Sequence, residues 1–236
     1  MINTFLFDLD GTLLPLDMDK FMEIYFSQLS NRLKEHIPPE KTIEYIWQST
    51  NHMINNIDSN FTNMEVFSNH FSKITKKRFD ELLPIFDEFY NTDFLKVEVA
   101  TSPIPAVKEI VDILKSKNYN LVLATNPLFP RMAILHRIEW AGLKEEDFNL
   151  ITSYEIMHAC KPQIQYYEEI LDIIGRNPEE CIMVGNDVQE DMIAKSLGIT
   201  TFLLEDQMIH REKTPPNNFD YRGSYSDLKN LIIEMF

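Results

Sequence analysis

Short apolar runs alternating with helical repeats are what most constrain the fold of this chain. From residue 101 onward the pattern predicts a helix over about 105–117, a strand at 121–124 and a helix near 130–141. A strand at 148–152, a helix over 163–174, a strand at 181–184, a helix at 190–197 and a strand at 201–204 come next. Gly142, Gly175 and Gly198 each stand just past a helical stretch, where a closing glycine is expected. Strands separated by whole helices cannot pair as hairpins, so the pattern implies a parallel sheet covered on both faces. A loop around Pro215-Pro216 and a last helix over 225–236 complete the chain.

The chain begins with one more strand, residues 4–7, which ends on Asp8 and a turn at Gly11. The period then changes. Phe21, Tyr25, Leu29 and Leu33 recur every four residues, as on one face of a helix. Ile43, Ile46 and Trp47 mark a second helix, Val66, Phe67 and Phe71 a third, and Leu82, Phe86, Phe89 and Tyr90 a fourth. Pro38-Pro39 separates the first pair, and residues 58–62 break the chain before the third. The expected architecture is an α/β, Rossmann-like parallel-sheet core, residues 1–15 and 98–236, with an all-helical lobe, residues 16–97, inserted after its first strand.

Composition narrows the class of partner. The 236 residues are 44% hydrophobic and 25% charged with only six Gly, an ordinary globular balance. A formal charge of −15 disfavours nucleic acid or an anionic membrane bound through a basic face. Small anionic substrates stay open, because a metal and a few local cations reverse the field inside one cleft. Two cysteines, Cys160 and Cys181, make no disulfide framework and suit a reducing cytoplasm. The first apolar run is short and has no basic segment before it, so no signal peptide is expected. No apolar run approaches the roughly 18 residues that span a bilayer.

In open α/β sheets ligands bind beyond the carboxyl ends of the strands, and the polar residues of this chain fall there. Asp8 and Asp10 end the first strand, Thr125 and Asn126 the second, and Gly185, Asn186 and Asp187 the strand at 181–184. Asp191 lies one helical turn later, and Lys161 stands near another strand end. Several carboxylates in one cleft demand shifted pKa values or a cation. A few hard oxygen ligands with room for water suit Mg²⁺. Mg²⁺ with Lys161 would neutralise a phosphoryl group, which a carboxylate can attack. Thr125 and Asn126 could hydrogen-bond its oxygens, and phosphoryl transfer needs little beyond positioning and charge.

FDLDGTLL resembles the first motif, D-x-D-G-T, of the haloacid dehalogenase-like superfamily. LATN resembles its second motif, Lys161 in ACKP its third, and VGNDVQED its fourth. The four occur in family order and span residues 5–191, and the helical lobe sits where the family carries a cap. The resemblance implies Asp8 as nucleophile and metal ligand. It implies Asp10 as general acid, then general base, with its backbone carbonyl on Mg²⁺. Thr125 would bind phosphate, Lys161 steady nucleophile and phosphate, Asp187 ligate metal, and Asp191 support the site with Gly11, Thr12 and Asn186. Halide-releasing members lack the second aspartate, so Asp10 favours phosphoryl chemistry. Asn186 is a departure, since many members have Gly-Asp in motif four.

Each motif taken singly also has a bland explanation. Asp-Gly after a strand is often only a turn, Asn126 a turn cap, Lys161 a solvated lysine, and Asp187 and Asp191 a helix start. The basic stretch 73–78 reads as a solvated face, and Arg131 as a candidate substrate contact. Most aromatics of the lobe, Phe21, Tyr25, Tyr45, Trp47 and Phe67 among them, should be core, with one or two lining the pocket. His52, His136, His158 and His210 show no metal-ligand spacing. The expected function is a Mg²⁺-dependent phosphatase of a small phosphorylated metabolite. A phosphotransferase or phosphomutase with the same chemistry, or a non-catalytic binding module, are the alternatives. Sugar phosphates, phosphoglycolate and nucleoside monophosphates are all open as substrates, and no oligomeric state is specified.

Overall fold

The computed structural model describes all 236 residues. Its sheet contains β1 (Thr4–Phe7), β2 (Asn120–Leu123), β3 (Leu150–Ile151), β4 (Cys181–Gly185), β5 (Thr200–Leu204) and β6 (Tyr221–Gly223). All pairings are parallel, in the order β3-β2-β1-β4-β5-β6. β1 lies in the middle. The chain runs outward from it to β2 and β3 on one side, then returns to β4 on the other. A crevice opens where the order reverses, at the carboxyl ends of β1 and β4. Phe7 is in register with Val184, so Asp8 and Gly185 emerge side by side.

The central strands β1, β2 and β4 are largely apolar because both faces are covered. Alternation sorts their side chains. Phe5 and Phe7 enter a large core that includes α5 (Pro105–Ser116), α6 (Arg131–Trp140) and α8 (Tyr225–Met235). Leu6, Val122 and Met183 point the other way and pack with Tyr166, Tyr167 and Ile170 of α7 (Ile164–Ile174). Gly175 closes α7 at φ +62, a left-handed position that suits glycine.

Between β1 and α5 come α1 (Met18–Leu33), α2 (Pro39–Ile54), α3 (Asn63–Thr75) and α4 (Phe79–Asn91), then a 3-10 helix, Asp93–Ala100. No strand interrupts them. Asp17 caps α1 through Lys20 N at 3.0 Å, and Thr62 with Glu65 forms a capping box on α3. Both ends of the inserted segment leave from one place, since Leu16 and Thr101 form an antiparallel bridge. A continuous aromatic cluster joins insertion to core, with Phe94 stacked on Trp140 at 5.5 Å and Tyr25 edge-on to Phe129 at 5.6 Å. The start of α3 is also tied down, with Asn63 N donating to Met157 O at 2.7 Å.

Several elements differ from the expected ones. The strand expected at 148–152 pairs only at Leu150 and Ile151. The helix expected at 190–197 is a 3-10 helix, Met192–Leu197. A single turn, closed by Asp191 N donating to Asp187 O at 2.9 Å, precedes it. β6 has no counterpart in the expected pattern, because its three residues carry no apolar run.

Candidate active site

The turn after β1 is shaped by its neighbours. Gly11 adopts φ +82, and a Cβ there would collide with the side chain of Asn186. Asn186 in turn accepts from Thr12 Oγ1 at 2.9 Å and donates to Gln207 O at 2.7 Å. This amide therefore locks the β1 turn to the loop after β5, which is its contribution in place of a glycine. Tyr225 OH adds a bond to Thr12 O at 2.7 Å.

Asp8, Asp10, Thr125, Asn126, Asn186, Asp187 and Asp191 all line one cavity of about 330 Å³. Lys161 lies just beneath it, fully buried, with Nζ 2.8 Å from Asp8 Oδ1 and 2.6 Å from Asp191 Oδ1. Burial alone would push the lysine pKa down, but the Asp191 and Asp8 carboxylates outweigh it and hold the ammonium charged. Asp191 Oδ2 also accepts from Asp187 N at 2.9 Å, closing the motif-four turn. Gly185 is required here, because any Cβ would land inside the Asp191 carboxylate.

Thr125 is buried at the end of β2, its backbone carbonyl accepting from Thr152 Oγ1 at 2.7 Å and Tyr166 OH at 2.8 Å. Asn126, expected as a phosphate donor, spends its amide within the protein. Nδ2 donates to Glu190 Oε2 at 3.0 Å, and Oδ1 accepts from Lys161 N at 3.2 Å. It is a brace that sets the height of Lys161 while still lining the cavity.

Three functional-looking residues are not among the expected site residues. Arg137 on α6 is buried and pairs with Asp10 Oδ2. Its Nε donates to Ala133 O at 3.1 Å, and its guanidinium lies 4.7 Å over the Phe129 ring. A signal for it exists in the sequence: Ala133, Ile134, Ile138 and Ala141 make an apolar face, and Arg137 stands on it. Burial raises the Asp10 pKa, Arg137 opposes this, and Asp8 adds to it, with a net upward shift. Arg211 grips Asp187 with Nη1 at 2.7 Å and Nη2 at 2.6 Å. It reaches there because Ile209 bridges to Asp187, folding the loop after β5 back over motif four. Glu190, inside VGNDVQED, is the third; burial and the Asp187 charge push its pKa up.

Other candidates fall away from the cavity. The Arg131 guanidinium is half-exposed and pairs with Glu145 at 2.6 Å. The basic stretch 73–78 lies on the surface, its Arg78 paired with Asp80. Far more than one or two aromatics line the pocket: Tyr25, Phe26, Trp47, Phe67, Phe79 and Phe86 all do.

The donor set fits Mg²⁺. Asp8 and Asp187 offer hard carboxylate oxygens from neighbouring strand ends, and Asp10 Oδ1 is a buried oxygen without a partner. No three His, Cys, Asp or Glu side chains gather closely enough to hold an ion by themselves. That suits an ion which keeps several waters and takes only one or two carboxylates. Arg211 is the competing cation on Asp187.

Comparison with known families matches residues 2–197 to the haloacid dehalogenase-like hydrolases. The chain belongs to this family. Over 215 residues it is 26% identical to a glyceraldehyde 3-phosphate phosphatase of Methanothermobacter thermautotrophicus, covering 90% of each chain. Over 205 residues it is 25% identical to the pyrophosphatase PpaX of Bacillus cereus, covering 85% of this chain and 82% of the other. Among solved structures, a 2-haloacid dehalogenase from Pseudomonas syringae superposes with a TM-score of 0.65 at 18% identity over 100% of both chains. A HAD phosphatase from Thermococcus onnurineus superposes with a TM-score of 0.60 at 18% identity over 98% of both chains. No helix of the chain is long and apolar enough to cross a membrane.

Proposed function

We propose that the chain is a Mg²⁺-dependent phosphatase that hydrolyses a small phosphomonoester through an aspartyl phosphate on Asp8. The observation that carries this reading is the pair of aspartates at the end of β1. Asp8 is pinned by Lys161 at 2.8 Å, and Asp10 sits two residues on with an upward-shifted pKa. Lys161 occupies Oδ1 and leaves Oδ2 to attack phosphorus. A carboxylic acid with a raised pKa is suited to protonate the leaving oxygen, and its conjugate base then accepts a proton from water. The phosphatase relatives support the same reaction class.

Each remaining residue has a role in this reading. Thr125 binds a phosphoryl oxygen, and Asn126 reaches phosphate only indirectly, by setting Lys161. Asp8, Asp187 and the Asp10 carbonyl would hold Mg²⁺, with Asp191 keeping Lys161 charged. Gly11, Thr12 and Asn186 keep the two loops in register. The bound ion would supply positive charge beside the phosphoryl oxygens. We take residues 1–15 and 98–236 as core and 16–97 as a substrate-determining cap. The acidic surface and free buried cysteines agree with a cytoplasmic metabolite enzyme.

Acid quench of protein turning over a phosphomonoester should give an intact mass raised by about 80 Da, mapped to Asp8. Rapid phosphate release with no such adduct, and undiminished in Asp8→Asn, would remove the covalent mechanism.

A further inference from the structure

The cavity has two unlike halves. Its floor carries Asp8, Asp10, Asp187, Glu190 and Asp191, and its one lining cation, Arg211, is held by Asp187. Its roof is supplied by the inserted helices and contains no charged side chain at all. Thr50, the Trp47 indole and the hydroxyls of Tyr25 and Tyr90 are the whole of the roof's side-chain polarity, and the two tyrosines bond each other at 3.0 Å. The rest is aromatic and aliphatic, with Phe26, Ile46, Phe67, Phe79 and Phe86 facing the same space. A volume of about 330 Å³ is at the small end of those that enclose a ligand.

The roof faces the part of the substrate that leaves. A second phosphate or a carboxylate entering it would find no lysine, arginine or histidine. It would also stand above five acidic residues. Burying an unpaired anion is far costlier than burying a methylene. A polyhydroxylated sugar fares little better, since each buried hydroxyl needs a partner and the roof has few. Apolar surface, by contrast, is taken up by every wall.

We infer that the substrate is a phosphomonoester of an uncharged, predominantly apolar alcohol, of the aryl or medium-chain alkyl class, whose organic group fills the roof of the cavity. The inference rests on the phosphatase reading and deepens it. In the reaction the ester P–O bond breaks as the bond from Asp8 to phosphorus forms. The alcohol leaves with the Asp10 proton, and water then releases inorganic phosphate and restores that proton. The inference sets this chain apart from a pyrophosphatase, whose substrate has no organic group, and from a phosphatase of a small hydroxylated aldehyde.

An n-alkyl phosphate series from ethyl to octyl tests it, because chain length changes while leaving-group acidity does not. Affinity is measured by titration calorimetry on Asp8→Asn with Mg²⁺, so that it is independent of turnover. Kd should fall about two- to fourfold per added methylene until the roof is full. Phosphoglycolate, glucose 6-phosphate and pyrophosphate should each bind at least about tenfold more weakly than hexyl phosphate. Trp47 lines the roof but is 43% exposed, so Trp47→Ser should fold and flatten the chain-length slope. A Kd that ignores chain length, or that favours the charged ligands, overturns the inference. Phosphate release by the wild type on the same panel reads the underlying function. Affinity that climbs with chain length while no ester is hydrolysed sinks the hydrolase and keeps the ligand class. Hydrolysis with kcat/KM flat across the series does the reverse.

Discussion

Arg137 and Asp10 form an ion pair across 127 residues of sequence, with the arginine on α6 almost wholly buried and the aspartate one-fifth exposed at the cavity. Arg137 does not itself line the cavity, and it meets the lining only from behind, at Asp10 and Phe129. It fixes one Asp10 carboxylate oxygen and pulls down a pKa that burial pushes up.

The sign of that pull can be measured. Arg137→Met removes a cation that favours ionised Asp10, so the carboxyl should stay protonated to higher pH. If protonated Asp10 is the acid for the first step, the alkaline limb of kcat/KM should move upward in pH. The plateau should drop by about a hundredfold as orientation is lost. Arg137→Lys keeps the charge and should keep the limb in place. A downward or absent movement in Arg137→Met would separate Asp10 from the acid role.

Asp10→Asn should divide substrates by leaving group. Alkyl phosphates need a proton on the departing oxygen and should suffer by about a hundredfold or more. An aryl phosphate with an acidic phenol needs less help, so its first step should suffer less. Hydrolysis of the phosphoenzyme still requires a base, so the variant should show a burst and then slow turnover. Equal slowing of both classes with no burst would leave Asp10 as a charge only.

Asp8→Asn should lower activity by at least about a thousandfold. Clustered carboxylates alone would make this substitution stabilising, through relief of repulsion. Lys161 reverses that expectation. Its ammonium loses one of two counter-charges, and Asp191 alone remains at 2.6 Å. Unfolding in urea should show a loss of about 1–2 kcal/mol. Lys161→Met should cost more, about 3–5 kcal/mol, because it leaves two buried carboxylates facing each other. A Lys161→Met protein as stable as the wild type would contradict the central position given to this lysine.

Arg211 and a divalent ion compete for the same carboxylate. Arg211→Ala should therefore bind Mg²⁺ more tightly, by about two- to fivefold on the scale of one exposed charge contact. Calorimetry on the metal alone reads this without any turnover. Activity should vanish with a chelator and return with Mg²⁺. Ca²⁺ should inhibit, since it takes more oxygen ligands at longer distances and engages both oxygens of Asp8. Unchanged Mg²⁺ affinity in Arg211→Ala would show that the arginine yields Asp187 at no cost.

Local pattern determined much of this protein. Apolar runs at 4–7, 121–124 and 181–184 set the strands, because burial on both faces leaves a continuous apolar signature that needs no partner to be read. The polar groups at strand ends came from the same runs, since the crevice of a parallel sheet has a fixed location. The period-four stretch from Phe21 to Leu33 marked its helix for the same reason. Relationships between distant segments were decided only in three dimensions. β6, Tyr221–Gly223, carries no apolar run and pairs only along the edge of β5, and the strand expected at 148–152 keeps just the two residues that pair with β2. Asn126 has the residue type of a phosphate donor, but the fold brings Glu190 and the Lys161 backbone within its reach. Arg137 stands out locally as a charge on an apolar face, yet its meaning depends on Asp10 lying opposite. The uncharged roof of the cavity needed four helices to turn their aromatics toward one space. Sequence periodicity states which face of a helix is apolar, and only packing decides whether that face meets another helix or a ligand.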